Sequence, residues 1–399
     1  MPSRAKEEVE SPNVRHKRLS YRVLAGSYLE LISASLRLLE MSLFENPQKP
    51  RNATRRVISW LISLGFIGGV AFVTIAPTPY LVEQPGPVYN LFTTIAGKPV
   101  ISIAGRKTYL TTGSLSMLTV TLQGTSSKGA SWFEVGLAKI DETKKILKIT
   151  DVYPPGWDDA KLNEKSDVMM LDAQANAKAA ALNLLDIPYQ SFQSVTLVDL
   201  TGAAGKILKA GDKVISVQGE KVTGLAQIKK LVQATNGKSP VVLDIIRGSK
   251  AMTVEVTPKK VEGEWRIGVY ISAVPEFPFE IDIQVGNVGG PSGGQMLALA
   301  IYDQLTPGSL TGGQNVAGTG TVDSAGNIGP IGGIVQKMFG TSKAGIKWFF
   351  APSANCDEVI GHIPKGISVV KVSTLQDSLD ALKVISNGGD AAKLPTCTK

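Results

Sequence analysis

The 399-residue chain has only two histidines and two cysteines, and this scarcity excludes several common kinds of site. His16 lies in a polar N-terminal segment, His362 stands alone near the C-terminus, and the cysteines are Cys356 and Cys397. Zinc sites use several such ligands at short spacing, so we predict no metal site and no cofactor. A serine hydroxyl needs a nearby base to act as a nucleophile. With only these two histidines, a serine–histidine catalytic pair is also poorly supported.

Long apolar runs are also scarce, and the clearest is the uncharged stretch from Val57 to about Ala76, long enough for a bilayer core. Arginines and lysines from Arg4 to Arg56 precede it, which predicts a cytoplasmic N-terminus and an extracytoplasmic body. A cleavable signal peptide is the competing interpretation, but its charged lead-in is normally short. A basic tail could also bind nucleic acid, but no recognition motif accompanies it, so we predict a membrane partner and no nucleic acid.

The chain reads as an α+β multidomain protein. Residues 1–18 are charged and predicted to be disordered, and 19–44 has helical spacing typical of an interfacial helix, a plain cytoplasmic helix or a coiled-coil partner. The predicted divisions are a basic tail (1–56), a transmembrane anchor (57–76), a proline-rich stalk and connecting region (77–190), a β-rich domain (191–264), a C-terminal α/β domain (265–388) and a C-terminal tail (389–399).

The β-rich part has short strands near 195–198, 212–217, 241–246 and 252–257 and a helix at 227–233. This order, with the run from Leu208 to Gly219, resembles a PDZ domain of the bacterial protease type. By that resemblance it would hold an extended peptide by strand addition beside the helix. We expect the carboxylate-binding loop at 185–188, where Pro188 lacks an amide hydrogen, so capture of a terminal carboxylate is in doubt. A purely structural β-module is the alternative.

Two glycine-rich motifs supply the candidate chemistry. Ser292 lies between Gly290 and Gly293, directly before a predicted helix over 295–304, whose N-terminal amides could stabilise an oxyanion. The second motif, residues 326–333, leads to Lys337. A lysine whose pKa is lowered by burial can act as a base near neutral pH, so we predict a Ser292–Lys337 dyad.

These motifs, with Thr319-Gly320 on a strand between them and with 344–347 and 349–352 after them, resemble the proteolytic domain of the Lon family over roughly 270–385. With the apolar span and the PDZ-like part, the chain is similar to membrane-anchored Lon-like proteases of Gram-positive bacteria. The resemblance implies Ser292 as nucleophile, Lys337 as general base, Thr319 orienting the lysine, polypeptide substrates and a hexameric ring.

Lon proteases also carry an ATPase module, and no complete phosphate loop is present in this sequence. The run 237–239 mimics the end of such a loop, but the glycine required five positions earlier is Val232. We therefore predict a peptidase that acts on unfolded or loosely structured proteins. The alternative is a membrane-tethered binding protein whose Lon-like domain is inactive or cleaves only itself. Cys356 and Cys397 are an even pair in a compartment that permits disulfides, and either a bond or two free thiols is open.

Overall fold

The computed structural model describes residues 53–95, 97–286 and 288–398. The predictions for residues 1–52, including the helix over 19–44, lie outside the described residues. The helices are α1 Ala53–Ile75, α2 Trp132–Ile140, α3 Ile149–Val152, α4 Asp159–Leu184, α5 Leu225–Ala234, α6 Gly294–Leu305, α7 Ile334–Lys343, α8 Cys356–Val359 and α9 Leu375–Ser386, with 3₁₀ turns at Pro291–Gly293, Ser353–Asn355 and Ala391–Lys393.

The strands are short, and most belong to two large sheets. They are β1 Tyr80–Asn90, β2 Thr94–Ile95, β3 Lys98–Pro99, β4 Ile101–Ala104, β5 Ser114–Gln123, β6 Lys145–Lys148, β7 Gln190–Val198, β8 Lys213–Val217, β9 Glu220–Lys221, β10 Val241–Arg247, β11 Lys250–Val256, β12 Lys259–Val261, β13 Glu264–Arg266, β14 Val269–Glu276, β15 Glu280–Ile283, β16 Asn315–Gly318, β17 Thr321–Val322, β18 Ile328–Gly329, β19 Trp348–Pro352 and β20 Ser368–Val372.

Helix α1 is, within the described part of the chain, the one helix long and apolar enough to cross a membrane, over Arg56–Ile75. The chain divides into two units at this helix, residues 1–72 and 73–399. The second unit holds both large sheets.

The first large sheet has the order β20-β19-β16-β5-β1-β6. Strands β5, β16, β19 and β20 run parallel to one another, whereas β1 pairs antiparallel with β5 and β6. Residues of β16, β19 and β20 are almost all buried, as expected for parallel strands covered by helices on both faces. Helices α4 and α6 supply much of the adjoining core.

The proline-rich segment that we predicted as a stalk differs from this expectation, because residues 80–90 form β1, between β5 and the edge strand β6 of that sheet. Strand β6 pairs with β1 only from Tyr80 to Glu83, and the register against β5 shifts between Pro85 and Val88. Prolines lack an amide hydrogen and are tolerated at such irregular positions. The prolines therefore interrupted the strand pattern in the sequence without preventing the strand.

The second large sheet, β11-β10-β8-β7-β14 with β9 on β8, encloses its own core with α5. The strands and helix predicted for the PDZ-like part are all present, but its last strand runs on to Glu276, beyond the predicted boundary at 264. This unit lies in the chain between α4 and β15. The part of the protein built on the first large sheet thus comes from residues on both sides of the PDZ-like unit, which a linear division of the sequence did not anticipate.

Candidate active site

The serine turn is fixed by the strand extension beside it. Ser292 lies in the 3₁₀ turn that leads into α6, and its carbonyl oxygen accepts hydrogen bonds from Gly320 N (2.9 Å) and Thr319 Oγ1 (3.1 Å). Gln295 N, one turn on, donates to Gly320 O at 3.1 Å. The backbone of the nucleophile candidate is therefore held before any substrate arrives.

The side chains of Ser292, Thr319 and Lys337 meet at one point. Lys337 Nζ lies 2.8 Å from Ser292 Oγ and 3.0 Å from Thr319 Oγ1. The three residues come from the turn before α6, the end of β16 and the first turn of α7. A nucleophile within hydrogen-bond reach of a base, with a third group orienting that base, is the arrangement needed for nucleophilic catalysis.

Burial makes Lys337 suitable as a base. Its side chain is 2% exposed and Thr319 is fully buried. Desolvation lowers the pKa of Lys337 from 10.5 to about 8, while the carboxylate of Glu83 opposes this and favours the charged amine. A substantial neutral fraction therefore exists near neutral pH, and a neutral amine can accept the serine proton.

Glu83 is a member of the site that the sequence reasoning missed. It lies on β1 at 8% exposure, and burial raises its pKa although Lys145 and Lys337 lower it. A Cβ on Gly333 would lie 2.9 Å from Glu83 Oε1, so the carboxylate lies against the residue that precedes α7. Anions are stabilised at a helix N-terminus. The available signal was a single glutamate after the apolar Leu81-Val82.

Three glycines allow these approaches. Gly290 (φ 83°) and Gly333 (φ 69°) have left-handed backbone, which other residues adopt at a cost. At Gly293 the backbone is ordinary, but an added Cβ would come within 3.2 Å of Met117 Sδ. Gly290 and Gly293, predicted as supporting residues, therefore shape the turn and its contact with β5.

The loop that carries the lysine is clamped by Asn355, which the sequence reasoning also missed. Ile331 N donates to Asn355 Oδ1 (3.0 Å), and Asn355 Nδ2 donates to Ile331 O (2.9 Å). The next residue, Cys356, forms a disulfide with Cys397, and the tail is further joined to β20 by Lys371 N donating to Pro395 O. The tail is thus connected to the clamp of the lysine loop.

A cavity of about 270 Å³ opens over Ser292 and Lys337. Its walls combine strand β5 with Tyr89 of β1, Met170 of α4 and Val288 of the serine turn. Helix α4 also contacts the turn directly, because Gly290 N donates to Ser166 O at 2.8 Å. The cavity lining mixes apolar side chains such as Met117 and Met170 with polar ones such as Thr119 and Thr121.

A second, larger cavity of about 700 Å³ lies in the PDZ-like unit, between α5 and β14. Strand β14 pairs with β7 on one side and is an edge of the sheet on the other. The loop that enters β14 beside α5 contains Ile267 and Gly268, and both line the cavity. Residues 185–188, where we expected the carboxylate loop, do not line this cavity, and the position of that loop stays a prediction. The strand that borders the groove, β14, is the last strand of the PDZ-like unit in chain order.

Two other candidates from the sequence, His362 and residues 237–239, do not belong to either cavity. His362 is exposed at the end of α8, where its Nδ1 lies 3.1 Å from Glu358 O, and His16 is outside the described residues. The phosphate-loop mimic at 237–239 is a turn after α5, with Gly237 packed under the Trp265 ring. Within residues 53–398, no group of three or more metal-ligating side chains could hold an ion.

Comparisons with known proteins agree with the predicted resemblance of the C-terminal part. Residues 278–384 match the family model of the Lon protease (S16) C-terminal proteolytic domain. The chain is 36% identical over 93 residues to a Lon protease of Geobacter metallireducens, covering 23% of this chain and 11% of that protein. It is 26% identical over 205 residues to Lon protease 1 of Bacillus subtilis, covering 47% and 26%. The chain thus spans about a quarter or less of these two relatives.

The PDZ-like unit has structural neighbours among PDZ domains. The PDZ domain of an SdrC-like protein from Listeria monocytogenes shares 17% identity at a TM-score of 0.20, covering 21% of this chain and 88% of that one.

The presence of a Lon-type proteolytic domain is confirmed over the matched residues 278–384, and that match supports a serine peptidase.

Proposed function

We propose that the protein is a membrane-anchored serine endopeptidase in which Ser292 is the nucleophile and Lys337 the general base. The observation that carries the proposal is the contact of a buried lysine amine with the serine hydroxyl at 2.8 Å. The match of residues 278–384 to a proteolytic domain supports the same reaction class.

The reaction begins with the neutral amine of Lys337. In that state Ser292 Oγ–H donates to Nζ, and the proton passes to the amine as Oγ attacks a peptide carbonyl carbon. The carbonyl oxygen becomes an oxyanion beside the serine turn, where the positive end of the α6 dipole stabilises the negative charge. The resulting ammonium protonates the leaving amine, leaving an acyl-enzyme. Water, deprotonated by the same lysine, then releases the acyl group.

Thr319 and Glu83 act through the lysine in this scheme. Thr319 Oγ1 accepts from Nζ while donating to Ser292 O, so it orients the amine toward the serine. Glu83 favours the charged amine, which stabilises the ammonium formed during attack. Together they limit the movement of the base and the cost of its protonation.

The substrates we propose are unfolded or loosely structured polypeptides outside the cytoplasm. The sequence has no complete phosphate loop, and the cavity over Ser292 has room for an extended chain rather than a folded surface. The apolar helix α1 and the basic residues before it support anchorage with the body extracytoplasmic. Assembly into a homo-oligomer is proposed by resemblance alone.

The test compares four variants of the full chain on a labelled unfolded-protein substrate. We expect Ser292→Ala and Lys337→Met to abolish cleavage and keep the fold. Ser324→Ala, on an exposed turn, and Lys343→Met, on the exposed side of the same helix α7, are matched controls that keep activity. Normal turnover by Ser292→Ala or Lys337→Met would disprove the dyad.

A second candidate function, tethered peptide binding without catalysis, is favoured by the groove beside α5. The free edge of β14 could add a peptide strand, and apolar side chains of α5 such as Leu225 and Ile228 line the same cavity. Covalent labelling with a fluorophosphonate separates the two functions. An active peptidase is labelled at Ser292, whereas a scaffold binds peptide but remains unlabelled.

A further inference from the structure

Helix α2 has an apolar face that points outward from the protein. Four large side chains on it are exposed: Trp132 (50%), Phe133 (43%), Leu137 (38%) and Ile140 (83%). The opposite face of the helix is also apolar, and there Val135 and Ala138 pack against Val82 and Ala130. A surface helix normally carries polar residues on its outer side, so the outer face of α2 is built to meet something other than water.

The start of α2 is tied to the point where the chain leaves α1. Helix α1 ends at Ile75, and Pro77 forms a β-bridge with Ser131, the residue that caps α2. Thr78, 4% exposed, adds two hydrogen bonds to Ala130 O, from its N (2.9 Å) and from its Oγ1 (2.7 Å). Two residues of extended chain span about 7 Å at most. Paired residues across an antiparallel bridge lie about 5 Å apart, so the N-terminus of α2 lies within roughly 12 Å of the end of α1.

The cap of α2 is well ordered. Ser131 accepts from Glu134 N at 3.2 Å, and the Glu134 carboxylate accepts from Ser131 N at 2.7 Å. Such a capping box fixes where a helix begins and how it leaves the preceding chain. The exposed face is thus presented by a rigid element and not by a mobile loop.

We propose that this face of α2 lies in the interfacial layer of the membrane that α1 crosses, and the proposal rests on the anchorage argued under the proposed function. Tryptophan is enriched at this layer, where its amphipathic ring sits at the headgroup level. Phenylalanine, leucine and isoleucine bury their side chains just beneath it. The exposed Lys139 on the flank of the same helix can extend its ammonium toward the headgroups.

The consequence is a second point of membrane contact. With α2 also seated in the lipid, the edge of the first large sheet that carries β6 and α2 faces the bilayer. The orientation of the cavity over Ser292 relative to the membrane is then fixed.

A single attached probe tests the contact. Both native cysteines are joined in the disulfide, so Ile140→Cys gives one reactive thiol on the α2 face. Leu110→Cys is the matched control, because Leu110 is 97% exposed in a segment where Tyr109 N donates to Gln304 O, at the end of α6. Each full-length variant carries the environment-sensitive dye NBD and is reconstituted in vesicles of phosphatidylcholine and phosphatidylglycerol.

We expect NBD at position 140 to emit at shorter wavelength, to be quenched by nitroxide-labelled lipid, and to be several-fold less quenched by aqueous iodide than NBD at position 110. Equal iodide quenching at the two positions would overturn the proposal. Protection at 140 that disappears when the protein is diluted into excess lipid would also overturn it, because the face would then be covered by a second copy of the chain.

Two further measurements distinguish failure of the α2 contact from failure of the proposed function. Resistance to alkaline carbonate extraction reports whether α1 is inserted, and a protein extracted by carbonate overturns the anchorage and this proposal together. Fluorophosphonate labelling of Ser292 reports the peptidase independently. A carbonate-resistant, labelled protein with an iodide-accessible position 140 contradicts the α2 contact alone.

Discussion

The pH dependence of peptide cleavage tests the central claim that a buried lysine is the base. Burial lowers the pKa of Lys337 to about 8 from 10.5. At pH 7 about one-tenth of such a lysine is neutral, compared with roughly one part in three thousand at the ordinary value. The structure therefore raises the population of competent base by about 300-fold, which corresponds to about 3 kcal/mol at 1.36 kcal/mol for each tenfold change.

We expect kcat/KM to rise about tenfold for each pH unit below 7 and to level off above an inflection near 8, because kcat/KM reports the ionisation of the free enzyme. The assay uses a peptide without groups that titrate between pH 6 and 10, and each rate is divided by the fraction of Ser292 that a fluorophosphonate can label. Lys343→Met, on the same helix, should leave the profile unchanged.

The direction of a second profile follows from Glu83. Its carboxylate favours the ammonium form of Lys337, so Glu83→Gln should lower the lysine pKa further and shift the inflection to lower pH. An inflection near 6.5, typical of histidine, or a flat profile from pH 6 to 9 would refute a lysine base. A shift to higher pH in Glu83→Gln would contradict the electrostatic role of Glu83.

Three other measurements follow. Thr319→Val should lower kcat roughly tenfold, because the hydrogen bond to Lys337 Nζ is lost. KM should change little, because Thr319 does not line the cavity. An unchanged kcat would exclude the orienting role of Thr319. Replacing Cys356 and Cys397 by serine removes a disulfide that closes a loop of 41 residues. Loss of this cross-link should lower the free energy of unfolding by about 4 kcal/mol through chain entropy, so Tm should fall. An equal Tm of the unsubstituted protein with and without reductant would contradict this. Asp303 is 1% exposed, and burial raises its pKa to about 6 from 3.8. Because the pKa is higher in the folded state, ionisation of Asp303 above pH 6 destabilises the fold, and below pH 3.8 there is no such loss. Asp303→Asn should therefore raise the free energy of unfolding by about 3 kcal/mol at pH 7.5. In thermal unfolding this gain should vanish by about pH 4.

The sequence was informative where residues carry chemistry within short motifs. The glycine-rich motifs around Ser292 and before Lys337 could be recognised from the sequence, because each motif contains one complete turn and the start of one helix. The PDZ-like strands followed from alternating apolar residues, and the structure has all of them. Local patterns of this kind need no knowledge of the rest of the fold.

Long-range pairing was not visible in the same way. Strand β1 has prolines at a bulge, which hides it in the sequence. Helix α4 begins at Asp159, although its first half is polar and has little apolar periodicity. Asp158 caps that helix by accepting from Lys161 N. Glu83 reaches Lys337 only because β1 packs against α7, and nothing in the sequence near either residue indicates that contact.

The proposed lysine base explains why the site is built as it is. A histidine titrates near neutrality even when exposed, whereas a lysine must be removed from water to lose its proton at the same pH. The fold meets this need by placing Lys337 beneath the serine turn, with buried Thr319 as its second contact and Glu83 as a buried counter-charge. Fully apolar surroundings would lower the lysine pKa further but would also destabilise the ammonium that forms during attack. The single carboxylate beside the start of α7 sets a compromise between these two demands, so the sensitivity of the rate to pH should depend on Glu83 more than on any charged residue at the surface.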